Sequence, residues 1–162
     1  MHNFKISTYL KGIILISLIS LISAFYIEYV LGHKPCNLCL IQRIPYVISI
    51  VLIVLNHVLK KDEYFTILLL ILTFSFSLIM SSYHFGIEQG FFEESVVCGL
   101  KDTSSILTKE ELLKQLQTKP VSCKDVTFKI FGFSLTTFNI ILSLILIVLL
   151  LNIFKNYEKY KK

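Results

Sequence analysis

The run YFTILLLILTFSFSLIMSSY, residues 64–83, decides the fold of this chain because it carries no charge along its whole length. A helix of about 20 apolar residues crosses the hydrocarbon core of a bilayer, which is about 30 Å thick. Backbone polar groups find no water in that core, so a segment that crosses it alone must be helical. The run therefore predicts a transmembrane helix.

Three further runs of the 162-residue chain have the same character. Residues 12–31 contain one charge, Glu28, and residues 133–154 contain none. Residues 44–59 are uncharged and reach bilayer length when the helix is extended back to about residue 41. A cleaved signal peptide at the N-terminus is the alternative, but the apolar run continues to Leu31, which is long for such a peptide. We predict an all-α fold, a single membrane domain over residues 1–162 that forms a four-helix transmembrane bundle, with spans near 12–31, 41–59, 64–83 and 133–154.

The lysines are unevenly distributed between the connecting segments. The two terminal segments and residues 60–63 together hold eight lysines against three acidic residues, whereas residues 84–130 hold six lysines against seven acidic residues. Lysine-rich connections stay in the cytoplasm. The pattern predicts cytoplasmic termini and two outward-facing loops, residues 32–40 and 84–131. It also accounts for the net charge of +5 without any role in binding nucleic acid.

All four cysteines fall in the two outer loops and none falls in a span. Cysteines that face an oxidising compartment favour disulfide chemistry. A pair of structural disulfides bracing the loops is one alternative. A zinc site built from all four thiolates is another, although an oxidising compartment competes for the thiols. The four residues are Cys36, Cys39, Cys98 and Cys123.

Cys36 and Cys39 form a Cys-x-x-Cys motif directly before the second span. Because the loop between them is so short, a disulfide here would stabilise the fold little, and such pairs are usually redox centres. A helix that begins after Pro35 would hold the thiols in its first turn, where the helix dipole favours a thiolate. Arg43, the only arginine, follows Cys39 by four residues, on the same face of one helix. It is either an interfacial anchor or a positive charge beside Cys39 and a bound ligand.

The second outer loop contains further candidates. His84 either anchors the chain at the membrane surface or hydrogen-bonds a bound headgroup. The segment Thr108–Glu111 fits a capping box, and Leu112, Leu113 and Leu116 follow it as an apolar stripe. This pattern predicts a short amphipathic helix on the membrane surface, or else a solvated helix packed on the bundle.

Several stretches resemble the bacterial disulfide bond formation protein B (DsbB) family. They are YVLGHKPCNLCLIQR at residues 29–43, YHFGIEQG at 83–90, FGFSLTTFN at 131–139, and the placement of Cys98 and Cys123. The resemblance implies a quinone-dependent thiol–disulfide oxidoreductase of the bacterial inner membrane that reoxidises a DsbA-like periplasmic thiol oxidase. It implies that electrons pass from the partner to Cys98 and Cys123, then to Cys36 and Cys39, and finally to ubiquinone or menaquinone.

The resemblance also implies individual roles. Cys98 would form the mixed disulfide with the partner, Cys123 would exchange with Cys36, and Cys39 would face the quinone. The implied quinone-binding residues are Arg43, His84 and Gln89. Counted back from Cys98, Gln89 matches the family pattern and His84 stands one position away from it, and Glu28 stands where relatives often carry glutamine.

Two alternative functions remain open from the sequence. A vitamin K epoxide reductase-like protein would also pass electrons between thiols and quinone, but it would carry its membrane-proximal Cys-x-x-Cys after the loop cysteines. A non-enzymatic four-span scaffold would use the cysteines only for structural disulfides. The placement of Arg43 beside a weakly stabilising Cys-x-x-Cys pair disfavours the scaffold.

Overall fold

The computed structural model describes residues 3–59, 63–93, 98, 122–124, 128–130 and 132–157. The predicted amphipathic helix after Thr108 lies outside these residues. The described elements are α1 (Asn3–Tyr29), α2 (Asn37–Ile41), α3 (Ile44–Leu59), α4 (Glu63–Glu88), β1 (Lys129–Ile130), β2 (Phe133–Ser134) and α5 (Leu135–Lys155).

Among the described residues, four segments are long and apolar enough to cross a membrane, which confirms the predicted all-α membrane bundle. They run over Ile6–Tyr29, Asn37–Leu59, Glu63–Glu88 and Leu135–Lys155. Large apolar side chains such as Ile22, Ile79 and Val148 remain exposed on the outer surface of the bundle. In a membrane these side chains face lipid, so their exposure does not destabilise the fold.

Several predicted span boundaries differ from the structure, and two of the differences lie near the cysteines. The third span continues past Tyr83 to Glu88, so His84 belongs to α4 and not to the loop. The last helix begins at Leu135, because Phe133 and Ser134 pair as a short strand with residues 129–130. Gly132 turns this hairpin with a φ of 86°, a left-handed conformation that favours glycine. The Ser134 side chain then caps α5 by accepting a hydrogen bond from the Thr137 N–H at 3.4 Å.

The second span is not one continuous helix. α2 ends at Ile41, residues 42–43 form a turn, and α3 begins at Ile44. Pro45 explains the break, because proline has no N–H to donate back to the carbonyl four residues earlier. Proline is tolerated in the first turn of a helix, where that donor is not needed, and Pro45 is the second residue of α3.

The helices pack in the order α1, α3, α4 and α5, with α4 and α5 in the most extensive contact. Hydrogen bonds between small polar side chains join neighbouring helices. Ser17 of α1 bonds Ser49 of α3 at 3.0 Å, and Ser143 of α5 bonds Ser77 of α4 at 3.1 Å. Such contacts, together with close packing, hold helices together in a bilayer, where the hydrophobic effect gives no preference for helix association.

The end of α4 is fixed by a glycine cap. The Phe91 N–H donates to the Gly86 carbonyl at 2.8 Å and the Gly90 N–H donates to the Ile87 carbonyl at 3.0 Å. This is the Schellman pattern, and Gly90 supplies the positive φ that it requires, 78°. The chain then folds back so that the Phe92 ring lies over Gly86, where a Cβ atom would meet the ring at 2.3 Å. The glycine cap therefore ends α4 one turn beyond His84.

All four cysteines lie at one end of the bundle, which we call the cysteine end. Cys36, Cys98 and Cys123 are buried together with Leu38 and Ile87 in one cluster, and Cys39 packs against it. A second, larger core fills the rest of the bundle around Phe74, Leu70 and Leu146. The fold therefore brings the two cysteine-bearing segments together, although they are far apart in sequence.

Candidate active site

The Cys-x-x-Cys motif is built by the first turn of α2. Cys36 is the N-cap residue, and its Sγ accepts a hydrogen bond from the Cys39 backbone N–H at 3.3 Å. The two Sγ atoms lie 2.8 Å apart, and neither is in a disulfide. Since a disulfide bond is about 2.05 Å long, closing it requires only a small movement of the side chains.

Cys36 is the thiol that is set up to ionise. The hydrogen bond from the Cys39 thiol lowers the pKa of the Cys36 thiol to about 5, against the opposing effect of burial. The hydrogen bond and the charge of His84 contribute to this same lowering, to a smaller extent than Cys39 does. The thiolate is the form that attacks disulfides, so the motif holds a nucleophile and a neutral partner thiol side by side.

His84 contacts this pair from α4. Its side chain is almost wholly buried, and its Nε2 lies 3.6 Å from Cys36 Sγ. On the other side of the ring the Gln42 amide lies 3.0 Å from Nδ1. When the Gln42 N–H donates to Nδ1, the ring proton must sit on Nε2, from which it points at the Cys36 sulfur. Gln42 thereby orients the histidine that stabilises the thiolate.

Glu88 lies one helical turn after His84 and belongs to the same group. Its Oε1 is 3.7 Å from His84 Nε2 and accepts a 2.6 Å hydrogen bond from the Thr136 hydroxyl of α5. The Thr136 oxygen is also 3.2 Å from His84 Nδ1. The other carboxyl oxygen, Oε2, is buried with no hydrogen-bond partner among the described residues. An unpartnered buried oxygen is costly, which makes Glu88 a candidate for binding or proton transfer.

Arg43 stands in the turn between α2 and α3. The prediction that it shares one continuous helix with Cys39 is wrong, because Pro45 breaks that helix. Arg43 instead forms a 2.5 Å ion pair with Glu28 of α1 and lies 5.1 Å over the ring of Phe25. Both charged side chains are largely shielded, so the pair joins α1 to the second span at the level of the cysteines.

These residues surround a cavity of about 350 Å³. Its size lies within the range of small-molecule pockets, about 300–1,000 Å³. One wall is the apolar face of α1 around Ala24 and Ile27, and Cys123 contributes to the rim. The polar lining includes Cys39, Gln42, Arg43, His84, Glu88 and Thr136.

The second cysteine pair adjoins the first. Cys98 and Cys123 are joined in a disulfide with their Cα atoms 5.4 Å apart, and both are buried against Cys36. A zinc site that uses all four thiolates is therefore wrong for this state, because two of the sulfurs are already bonded to each other.

The sequence pattern of the disulfide bond formation protein DsbB matches residues 7–153, nearly the whole chain. This chain belongs to the DsbB family. An uncharacterised protein of Rickettsia prowazekii (strain Madrid E) is 29% identical over 140 residues, which cover 85% of this chain and 81% of that protein.

Membership of the DsbB family makes the chain a multi-pass membrane thiol–disulfide oxidoreductase of disulfide bond formation. The family match confirms the resemblance drawn from the sequence. It also decides against the non-enzymatic scaffold and against the vitamin K epoxide reductase-like alternative.

The predicted site residues of this DsbB-family chain separate into two groups. Cys36, Cys39, Arg43, His84 and Cys123 line one cavity, and Cys98 is bonded to Cys123. Gln89, predicted to contact the quinone, is exposed and is not part of the cavity lining. Because α4 continues to Glu88, Gln89 follows His84 by five residues and points about 140° away around the helix.

Proposed function

We propose that this DsbB-family protein reoxidises a DsbA-like soluble thiol oxidase and delivers the electrons to a membrane quinone. We further propose that it lies in a bacterial inner membrane with the cysteine end facing the periplasm, as the lysine distribution favours. One observation carries the proposal: the same cavity is lined by the free Cys36–Cys39 pair, by the sole arginine and by Cys123 of the Cys98–Cys123 disulfide.

The exchange begins at the Cys98–Cys123 disulfide. A thiolate of the partner attacks Cys98 Sγ, a mixed disulfide forms, and Cys123 leaves as a thiolate. Cys123 then attacks Cys36 in an oxidised Cys36–Cys39 disulfide, and Cys39 leaves as a thiolate. Burial of Cys123 and Cys36 in one cluster supports this second step, because thiol exchange requires direct contact between the sulfurs.

Two further displacements complete the transfer. The second thiol of the partner attacks its mixed disulfide and releases Cys98, so the partner leaves as a disulfide. Cys98 attacks the Cys123–Cys36 bond, which restores Cys98–Cys123 and releases Cys36 as a thiolate. Two electrons have then moved from the partner to Cys36 and Cys39. These four displacements end with a Cys98–Cys123 disulfide and with Cys36 and Cys39 as free thiols. The cysteines in the structure are paired in the same way.

The cavity fits a quinone headgroup in size and polarity. The apolar face of α1 suits a lipid-soluble molecule, and Arg43 can hydrogen-bond an oxygen of its ring. A bound quinone supplies the two-electron, two-proton acceptor that returns Cys36 and Cys39 to the disulfide. His84 and Gln42 hold the Cys36 sulfur in its ionised form until that oxidation takes place.

Turnover of purified protein tests the relay. The full chain in detergent is mixed with a reduced DsbA-like oxidase and a short-chain quinone, and loss of quinone absorbance is followed. We expect Cys39→Ser to abolish turnover. We expect the double variant Cys98→Ser/Cys123→Ser to lose turnover with the protein partner but to retain quinone reduction when a small dithiol supplies the electrons. Partner oxidation at the normal rate in the double variant would show that the partner reacts directly at Cys36–Cys39.

The orienting role of Gln42 can be tested by substitution, with Gln89 as the control. Gln42→Ala removes the donor to His84 Nδ1, whereas Gln89→Ala removes an exposed side chain outside the cavity. Loss of a group that orients a metal-ligating histidine typically costs about 10–100-fold in activity, and we take the same scale for His84. We expect a decrease of that order for Gln42→Ala and no change for Gln89→Ala. Equal effects would show that Gln42 does not act through His84.

A further inference from the structure

Three potential metal ligands converge at the cysteine end. Cys36 Sγ, Cys39 Sγ and His84 Nε2 all lie within 4.8 Å of one another. Cys36 and His84 are buried, and Cys39 is half-buried beside the cavity. The redox relay uses the two sulfurs and the histidine for exchange, and nothing in that role involves a metal.

The chemistry of the set suits zinc. Two thiolates neutralise a divalent ion and a neutral imidazole adds a third donor, the mixture of sulfur and nitrogen that Zn²⁺ prefers. With Zn–S near 2.3 Å and Zn–N near 2.0 Å in tetrahedral geometry, sulfur and nitrogen ligands lie about 3.5 Å apart and two sulfurs about 3.8 Å apart. The observed Cys36–His84 distance of 3.6 Å already matches. The sulfurs, now 2.8 Å apart, must separate by about 1 Å.

The surroundings can also hold the histidine in the tautomer that a metal needs. A metal on Nε2 requires the ring proton on Nδ1, with an acceptor for it. The Gln42 amide nitrogen, which lies 3.0 Å from Nδ1 and donates to it in the metal-free site, must therefore turn away when zinc binds. Thr136 Oγ1 lies 3.2 Å from Nδ1, and since its own hydrogen is donated to Glu88, its lone pairs remain available. Glu88 adds a negative charge 3.7 Å from Nε2, with its second oxygen buried and unpartnered among the described residues.

We propose that Cys36, Cys39 and His84 form a zinc site in the reduced protein, with Glu88 and Thr136 as its supporting shell. Binding displaces the remaining thiol protons and changes no oxidation state. Once Cys36 and Cys39 are joined in a disulfide, both sulfurs are occupied and the site no longer exists. Zinc would therefore trap the dithiol form and prevent its reoxidation.

Cobalt(II) is the probe, because thiolate–cobalt bonds absorb light and zinc competes for the same site. The full chain carrying Cys98→Ser/Cys123→Ser is reduced without oxygen, so that no other thiols are present, and is titrated with Co²⁺ and then with Zn²⁺. The wild-type chain is titrated in parallel as a check on folding. We expect one equivalent of tetrahedral, thiolate-bound cobalt that zinc displaces, and none after oxidation. Absence of the thiolate–cobalt band would overturn the proposal.

Two substitutions distinguish this site from an ordinary pair of thiols. We expect His84→Ala to weaken binding by at least tenfold, and His57→Ala, an exposed histidine at the far end of α3, to leave it unchanged. We expect Glu88→Gln to weaken binding about tenfold while Glu93→Gln, which is exposed, does not. Unchanged affinity in His84→Ala would mean that the two sulfurs bind metal without the histidine, and the proposed site would be wrong. The titration needs neither partner nor quinone, so its result is independent of the relay.

Discussion

The lowered pKa of the Cys36 thiol gives the sharpest prediction, because a single neighbouring group makes the largest contribution to it. The hydrogen bond from Cys39 is the main reason that the pKa of Cys36 falls to about 5. In a chain with Cys98→Ser and Cys123→Ser, the further change Cys39→Ala leaves Cys36 as the sole thiol and removes that hydrogen bond. We expect the pKa of Cys36 to rise well above this value, since burial then opposes ionisation with less compensation.

The rate of alkylation at neutral pH will not reveal this change. With a pKa of about 5, the thiol is about 99% ionised at pH 7, against about 3% at an ordinary pKa of about 8.5. The nucleophilicity of a thiolate falls with its pKa, with a Brønsted slope of about 0.4–0.5. Over 3.5 pKa units that loss is about 25- to 55-fold, which offsets the roughly 30-fold gain in thiolate. The two effects nearly cancel at pH 7, so the pH profile must be measured.

The assay is iodoacetamide alkylation of the reduced protein, followed by intact mass from about pH 4 to pH 9. With Cys39 present, we expect the rate of Cys36 modification to be half-maximal near pH 5 and flat above about pH 6.5. With Cys39→Ala, the rate should continue to rise through pH 7. Identical profiles would refute the role of Cys39. Because the folded pKa lies below the unfolded one, the thiolate also stabilises the reduced fold fully above about pH 8.5, and this contribution is lost as the pH falls through about 5.

Three other outcomes are expected. Arg43→Ala should raise the apparent KM for quinone about tenfold at saturating partner, about 1.4 kcal/mol, with Arg43→Lys milder because it keeps the charge. Lys155→Ala, at the far end of α5, is the control, and an unchanged KM with poorer membrane insertion would reduce Arg43 to an anchor. Gly86→Ala should destabilise the protein by about 1–3 kcal/mol in thermal unfolding, because its Cβ would meet the Phe92 ring at 2.3 Å. Gly12→Ala, with no atom within 4 Å of its Cβ, should not. In intact cells, an impermeant thiol reagent should label Cys98 and Cys123 once the segment that carries them has been reduced and unfolded, and complete protection under those conditions would contradict the proposed orientation.

Much of this structure follows from simple patterns in the sequence. Uncharged runs of bilayer length identify the four spans, and the position of Cys36 and Cys39 before a span places the motif at the start of a helix. These signals are local, since each depends on a few consecutive residues. Local patterns do not determine helix length as well, and the prediction that α4 ends at Tyr83 missed one turn. That single turn holds Glu88 and carries Gln89 away from the cavity.

The contacts between helices were harder to predict. Glu28 and Arg43 are each an isolated charge at a span, and such residues usually pair inside a membrane protein. The sequence therefore contained a signal from which this ion pair could have been predicted. The roles of Gln42 and Thr136 had no comparable signal. They depend on α2, α4 and α5 meeting around His84, and a single sequence does not specify how three helices are oriented about their axes.

The ion pair between Glu28 and Arg43 has a consequence for how the protein enters the membrane. An isolated charge in a helix resists insertion by the translocon, by up to about 2.5–3.5 kcal/mol at mid-bilayer and less towards the ends. Glu28 stands in the last turn of α1, and its partner emerges from the ribosome only with the next span. Insertion of the first span is therefore more favourable if α1 stays at the translocon until Arg43 arrives. The two segments then enter the bilayer together as a helical hairpin. A neutral glutamine at position 28 would let α1 leave earlier and would oblige Arg43 to insert without its counter-charge.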